Sequence, residues 1–139
     1  MNTEIVAQAA RATLSGSSPF PEVVRRLIET GVEYYHVDYV ALQSTFYSAS
    51  GTVVTTPITY EDLPAVASDF DVTALRAAIV DSQNNGQHYR DFSRRAMEAG
   101  VQGYMAFLRG MRVTYWGRGG DHHVEWFPGA EPPSSSYET

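Results

Sequence analysis

EVVRRLIETGVEYYHVDYVALQSTFYSASGTVVTTP, residues 22–57, and DFSRRAMEAGVQGYMAFLRGMRVTYWGRGGDHHVEW, residues 91–126, are one pattern written twice. A shift of 69 residues lays the first on the second without a gap and gives eight identities in 36 positions: Arg25/Arg94, Arg26/Arg95, Glu29/Glu98, Gly31/Gly100, Val32/Val101, Tyr35/Tyr104, Thr45/Thr114 and Gly51/Gly120. An internal repeat of this length sets the plan of the whole fold before any single element is placed.

Each copy opens on helical spacing. Val23, Val24, Leu27 and Ile28 make an apolar stripe behind Pro21, with Ser18 as the cap, and Gly31 is the left-handed stop. Tyr89, Phe92, Ala96 and Met97 repeat the stripe ahead of Gly100. Past each glycine the period falls to two: Tyr35, Val37 and Tyr39 in one copy, Tyr104, Ala106 and Leu108 in the other. Arg109-Gly110 reads as a two-residue turn, Val40-Ala41 as a wider one. A third strand follows Gly51 and Gly120, so the repeat is αβββ, spanning about 20–57 and 89–128.

Outside the copies, residues 3–13 read as a helix capped by Asn2 or Thr3. A second helix starts at Asp71 or Thr73 and ends before QNNGQ at 83–87, and PITYEDLPAVASDF at 57–70 is the connection. The expected fold is α+β: one domain over 1–128, an antiparallel sheet of up to six strands with helices on one face, and a disordered tail at 129–139.

Composition excludes some functions. Sixteen acids against ten arginines, with no lysine, give a net charge of −6, which argues against nucleic acid as a partner. The lack of cysteine removes disulfides, thiol nucleophiles and thiolate metal sites. No secretion leader and no membrane span is read, and the expected location is cytoplasmic.

If the turns are tight, one sheet face carries Tyr104, Ala106, Val113 and Tyr115 and is the core face. The opposite face then receives Met105, Phe107, Arg112, Thr114 and Trp116 from the second copy and His36, Asp38, Gln43, Thr45 and Tyr47 from the first. Were Val124 and Trp126 to return to the core face, His123 and Glu125 would join this outer face. So many large apolar groups on a face meant for water imply a cover: the N-terminal helix, a second subunit or a ligand, in that order. The candidate ligand-binding residues are therefore His36, Asp38, Tyr47, Phe107, Arg112, Trp116, His123 and Glu125.

Catalytic signals are thin. His122 and His123 alternate sides on a regular strand and cannot share an ion. A metal at His123 and Glu125 needs a third ligand from His36, Asp38 or His88 that no spacing supplies. GRGG at 117–120 joins two strands and reads as a turn. No catalytic residue, metal or cofactor is expected. The leading reading is a non-enzymatic domain that binds a small molecule or protein, a homodimer included, through the mixed face. A metal-assisted or acid–base enzyme using His36, Asp38, His123 and Glu125 is the alternative.

FPEVVRRLIETGVEYYHVDY at 20–39, the D-F-D at 69–71, GQHYRDFSRRAMEAGV at 86–101 and RVTYWGRGGDHHVEWFP at 112–128 resemble the YbcV-like proteins, over roughly residues 4–128. These are small bacterial and prophage-encoded proteins of unknown function, some labelled phage envelope protein. The resemblance implies a compact α+β domain and leaves open a phage-associated structural or interaction role. It brings no activity and no site residues.

Overall fold

The structure is a computed structural model that describes residues 1–131. The elements run α1 (Thr3–Ser15), α2 (Phe20–Glu29), β1 (Val32–Asp38), β2 (Gln43–Ser48) and β3 (Val53–Pro57), then α3 (Val72–Asn85), α4 (Tyr89–Glu98), β4 (Val101–Phe107), β5 (Arg112–Gly117) and β6 (His122–Trp126). Adding 69 to the bounds of each first-copy element gives those of its counterpart, except that α3 runs one residue longer than α1. The repeat is thus ααβββ rather than αβββ, because α1 and α3 belong to it although their sequences share no visible motif. Of the expected tail, residues 132–139 lie outside the described residues, and Gly129 and Ala130 belong to a turn in which the Ala130 N–H donates to the Phe127 carbonyl.

The copies join edge to edge in one antiparallel sheet, ordered β3-β2-β1-β4-β5-β6. His36 lies opposite Met105, its own counterpart in the repeat, so a local two-fold axis pierces the sheet between them. Both copies carry a bulge at the same place, between Val32 and Tyr34 and between Val101 and Gly103. The extra residue lets Val32 and Tyr35, and Val101 and Tyr104, all reach the core despite their odd spacing.

Several local expectations need correction. Arg109-Gly110 does not form a two-residue turn: both hairpins use the same four-residue connection, 39–42 and 108–111, ending on a left-handed non-glycine, Leu42 (φ 57°) or Met111 (φ 58°). The cause lies in the neighbouring strand. The Leu108 N–H donates to the Glu33 carbonyl and that of Tyr39 to Gln102, so these residues bond sideways and not across their own hairpins. The register past the turn is unchanged. Helix α2 starts on Pro19 with no side-chain cap, so Ser18 is not used. Helix α3 continues through most of QNNGQ and stops at Gly86 in the left-handed region.

Caps elsewhere follow the sequence. Asn2 accepts from the Ile5 N–H and Asp71 from that of Ala74, satisfying first-turn donors. Gly31 (φ 93°) and Gly100 (φ 91°) turn the chain from helix into strand.

The helices pack on one sheet face. Val6 and Ala9 of α1, Val23 and Leu27 of α2, Leu75 and Ala78 of α3, and Ala96 and Met97 of α4 are buried with Val37, Phe46, Ala106 and Val113 of the sheet. The start of each second helix reaches the other copy: Phe20 meets Phe127 edge-on at 5.9 Å, and the Tyr89 hydroxyl lies 3.3 Å from that of Tyr39. Residues 58–71 strap this layer down. The Asp71 N–H donates to the Ala99 carbonyl, Ala67 to Met97, and the Tyr60 hydroxyl to Leu14.

Helix α1 lies in this layer, against α2, α4 and β3. It does not cover the outer face, because its buried stripe of Val6, Ala9 and Ala10 belongs to the core. No helix among the described residues is long and apolar enough to cross a membrane.

Candidate functional site

Strand register arranges the outer face as three rows crossing all six strands. The first row reads Val53, Tyr47, Tyr34, Phe107, Arg112, Trp126, each paired with the next. The middle row is Thr55, Thr45, His36, Met105, Thr114, Val124, and the third is Pro57, Gln43, Asp38, Gly103, Trp116, His122. Cross-strand neighbours on one face are the contacts through which a sheet presents a surface.

The first row is a continuous band. Tyr47 stacks on Tyr34 with ring centroids 4.8 Å apart, and Tyr34 stacks on Phe107 at 6.2 Å. The Arg112 guanidinium lies 4.7 Å from the centre of the Trp126 ring, a cation–π contact. At the band's margin Arg109 pairs with Glu33 at 3.6 Å. The sheet dips beside Tyr34, Phe107 and Arg112 into a shallow, open depression. Both tryptophans of the chain, Trp116 and Trp126, stand on this face.

Six of the eight residues expected there are there: His36, Asp38, Tyr47, Phe107, Arg112 and Trp116. His36 sits at the centre of the middle row. The Asp38 carboxylate is committed locally, accepting the N–H groups of Val40 and Ala41 at 2.9 Å each to close its hairpin. Gly103 holds no side chain because β1 approaches too closely; a Cβ there would stand 2.6 Å from the Val37 carbonyl oxygen.

His123 and Glu125 are on the other side. The β5–β6 turn pairs Trp116 with His122 and Tyr115 with His123, which sends Val124 and Trp126 to the outer face and His123 and Glu125 to the helix side. The Gly117 N–H donates to the Asp121 carbonyl, and Gly120 (φ 89°) completes the reversal, so the parity of this loop is opposite to that assumed from the sequence. His123 Nε2 lies 2.9 Å from Glu125 Oε1, with 19% and 28% of the side chains exposed, and the imidazole stacks over Tyr115.

His36 and Asp38 therefore face away from His123 and Glu125, with β4 and β5 between, about 14 Å at ordinary strand spacing. The four do not converge, and no group of three or more His, Cys, Asp or Glu among the described residues could hold a metal ion. What the sequence missed on the outer face is Tyr34 and Trp126. Tyr34 was recoverable from parity with His36; Trp126 was not, because it depends on the turn.

The helix side carries a buried phenol network instead. The Tyr89 and Tyr104 hydroxyls are 2.7 Å apart, and Tyr39 donates to Ser93 Oγ at 3.1 Å. Burial pushes Tyr39 and Tyr104 well above the ordinary phenol value, and the neighbouring Tyr89 adds to it. These groups stay neutral and tie α4 to the sheet. Tyr60, half-buried against α1, is pushed up to about 12 by burial. The paired arginines of the helices reach acids: Arg25 bonds Glu22 and Glu29, Arg94 bonds Asp62, and Arg95 bonds Asp81.

Among proteins of known sequence, an uncharacterized protein of Mycobacterium tuberculosis (strain H37Rv) is 29% identical to the chain over 113 residues, 81% of this chain and 69% of its own. An uncharacterized protein of Mycobacterium bovis matches equally, at 29% over the same shares. Residues 2–124, from the cap of α1 into β6, match a family described as "Protein of unknown function (DUF1398)", and the chain belongs to that family.

Proposed function

We propose that the chain acts by binding rather than by catalysis, and that the helix-free sheet face is the surface that binds. One observation carries this reading: the unbroken row from Tyr47 to Trp126 collects three stacked rings and an arginine laid on a fourth, on a face that no helix among the described residues covers. Aromatic residues and arginine are the types enriched where proteins bind, and rings lose little side-chain entropy on being covered. The depression beside Phe107 is open and shallow, so it cannot enclose the greater part of a small molecule as ligand sites do. A broad partner fits it better.

Site-specific photocrosslinking in cells tests the proposal. A benzophenone amino acid placed at Phe107 or Tyr34 is expected to give discrete adducts, and one at Val80, exposed on α3, to give none. Phe107→Ser and Tyr34→Ser, examined in dilute solution, are expected to keep cooperative unfolding within a few degrees of the parent. Adducts absent from the outer face, or variants that unfold, would refute it.

A further inference from the structure

We propose that the occupant of the outer face is a second copy of this chain, packed sheet to sheet about a two-fold axis to give a four-layered αββα dimer. The inference rests on the binding reading of that face and names its partner.

Charge distribution is the first support. The eighteen positions of the three rows hold one acid, Asp38, and one arginine, Arg112. Among the described residues the other acids and arginines lie off these rows, with Glu33 and Arg109 paired to each other at the margin. A chain of net charge −6 repels its copies through most of its surface, and this face is where two copies can meet without opposing their acids. A single arginine is too few for a nucleic-acid backbone, where affinity comes from several phosphate contacts. Depletion of charge with enrichment of aromatic residues, Met and Arg is the composition of an interface core.

Relief is the second support. An axis lying along the middle row, in the plane between two facing sheets, sets the first row of each copy over the third row of the other. Phe107 then stands over the partner's Gly103, where the sheet is bare, and Arg112 over the partner's Trp116. Each contact occurs twice, as two-fold symmetry requires. The same axis brings every middle-row residue, His36, Met105 and Thr114 among them, onto its own equivalent and lays the Tyr34 ring over the partner's Asp38. Sheets that pack this way sit ~10 Å apart.

Area is the third. Six strands at ~4.8 Å and three rows at ~6.8 Å cover about 590 Å² in projection. Side-chain relief brings the accessible area toward the ~800 Å² per partner of a standard interface.

The two tryptophans make the test selective, since both report on this face and on nothing else. Sedimentation and tryptophan emission are measured from about 100 µM to about 10 nM, on the parent and on Arg112→Glu, Phe107→Asp and Thr114→Glu. The expected result is a dimer whose emission shifts to the red by about 10 nm as dilution releases it, with variants that are monomeric and red-shifted throughout while circular dichroism shows them folded. Three changes, one on β4 and two on β5, guard against one of them failing to fold. A parent that is monomeric at every concentration overturns the proposal, as does a dimer that survives in the folded variants or forms with no change in emission. If the parent is monomeric while Phe107 still gives crosslinks to another molecule, the surface reading stands and only the partner falls.

Discussion

Gly31 and Gly100 occupy the same place in the two copies, with φ of 93° and 91°, and so offer a matched pair of substitutions. In both, alanine meets the same backbone strain, about 1–2 kcal/mol for an L residue in the left-handed region, partly offset by about 0.4–1 kcal/mol from a stiffer unfolded chain. At Gly31 a Cβ meets only Met1, at 3.7 Å, an ordinary contact. At Gly100 it would overlap the Asp69 carbonyl and come within 3.0 Å of the Phe70 Cα, both backbone atoms with no side-chain torsion to relieve them. The strap 67–71 has to lift. Its bonds from Asp71 to Ala99 and from Ala67 to Met97, at 2.8 and 2.9 Å, are then weakened or lost, about 0.5–1.5 kcal/mol each. Phe70 also leaves Gly117, where a Cβ would stand 2.8 Å from its ring. Gly31→Ala is thus expected to cost about 1 kcal/mol and Gly100→Ala about 3–5 kcal/mol. Urea unfolding followed by circular dichroism reads the difference as a gap between midpoints at constant slope. Phe70→Ala gives an internal check: it should cost about 1–2 kcal/mol in the parent and close to nothing beside Gly100→Ala, because the strap is already raised. Equal costs at the two glycines, or additive costs for the double variant, would refute the reasoning.

Further expectations concern particular contacts. Asp38→Ala removes the acceptor of two N–H groups and should cost about 1 kcal/mol by urea unfolding, with His36→Ala nearer zero since no hydrogen bond ties its ring. Tyr89→Phe leaves the Tyr104 hydroxyl without its 2.7 Å partner inside the core and should lower stability by about 1–3 kcal/mol, seen as a drop in melting temperature. Alkaline stability follows from the same cluster. Burial raises Tyr39, Tyr104, Tyr35 and Tyr115 above the ordinary phenol value of about 10, so above pH 10 the unfolded chain holds fewer protons than the folded one. Stability is complete below pH 10 and is then lost by about 1.4 kcal/mol per pH unit for each such tyrosine, up to the folded value. Melting temperatures that stay flat from pH 9 to pH 12 would contradict this.

The duplication was legible because Gly31/Gly100 and the strands after them are constrained twice over, by backbone geometry and by burial. Helices α1 and α3 were not legible as repeats. TEIVAQAARATLS and VTALRAAIVDSQNN share only small apolar residues at helical spacing, and a packing stripe can be satisfied by many sequences. The faces of β1, β2, β4 and β5 followed from alternation even where the turn was misread, since a four-residue loop and a two-residue turn extended by one pair leave the register alike. For β6 alternation was of no help. The loop from Gly117 to Asp121 sets which of His122 and His123 points outward, and a change of one residue in loop length exchanges every side chain on the strand.

That single parity reshapes the site. With His123 and Glu125 outward, the face would hold two imidazoles and two carboxylates and invite acid–base chemistry; with Val124 and Trp126 outward, it holds a hydrophobic margin. The first row also belongs to neither copy alone. The axis through His36 and Met105 sends Tyr34 and Tyr47 of the first copy alongside Phe107, Arg112 and Trp126 of the second, whereas their repeat equivalents Gly103, Trp116, Asp38, Gln43 and Pro57 meet in the third row. Divergence after duplication therefore gathered four Tyr, Phe and Trp rings in the first row and left the third with one, Trp116, beside a bare glycine and a self-contained carboxylate. In the proposed dimer, the bare Gly103 of that row is what receives the Phe107 ring of a copy turned over.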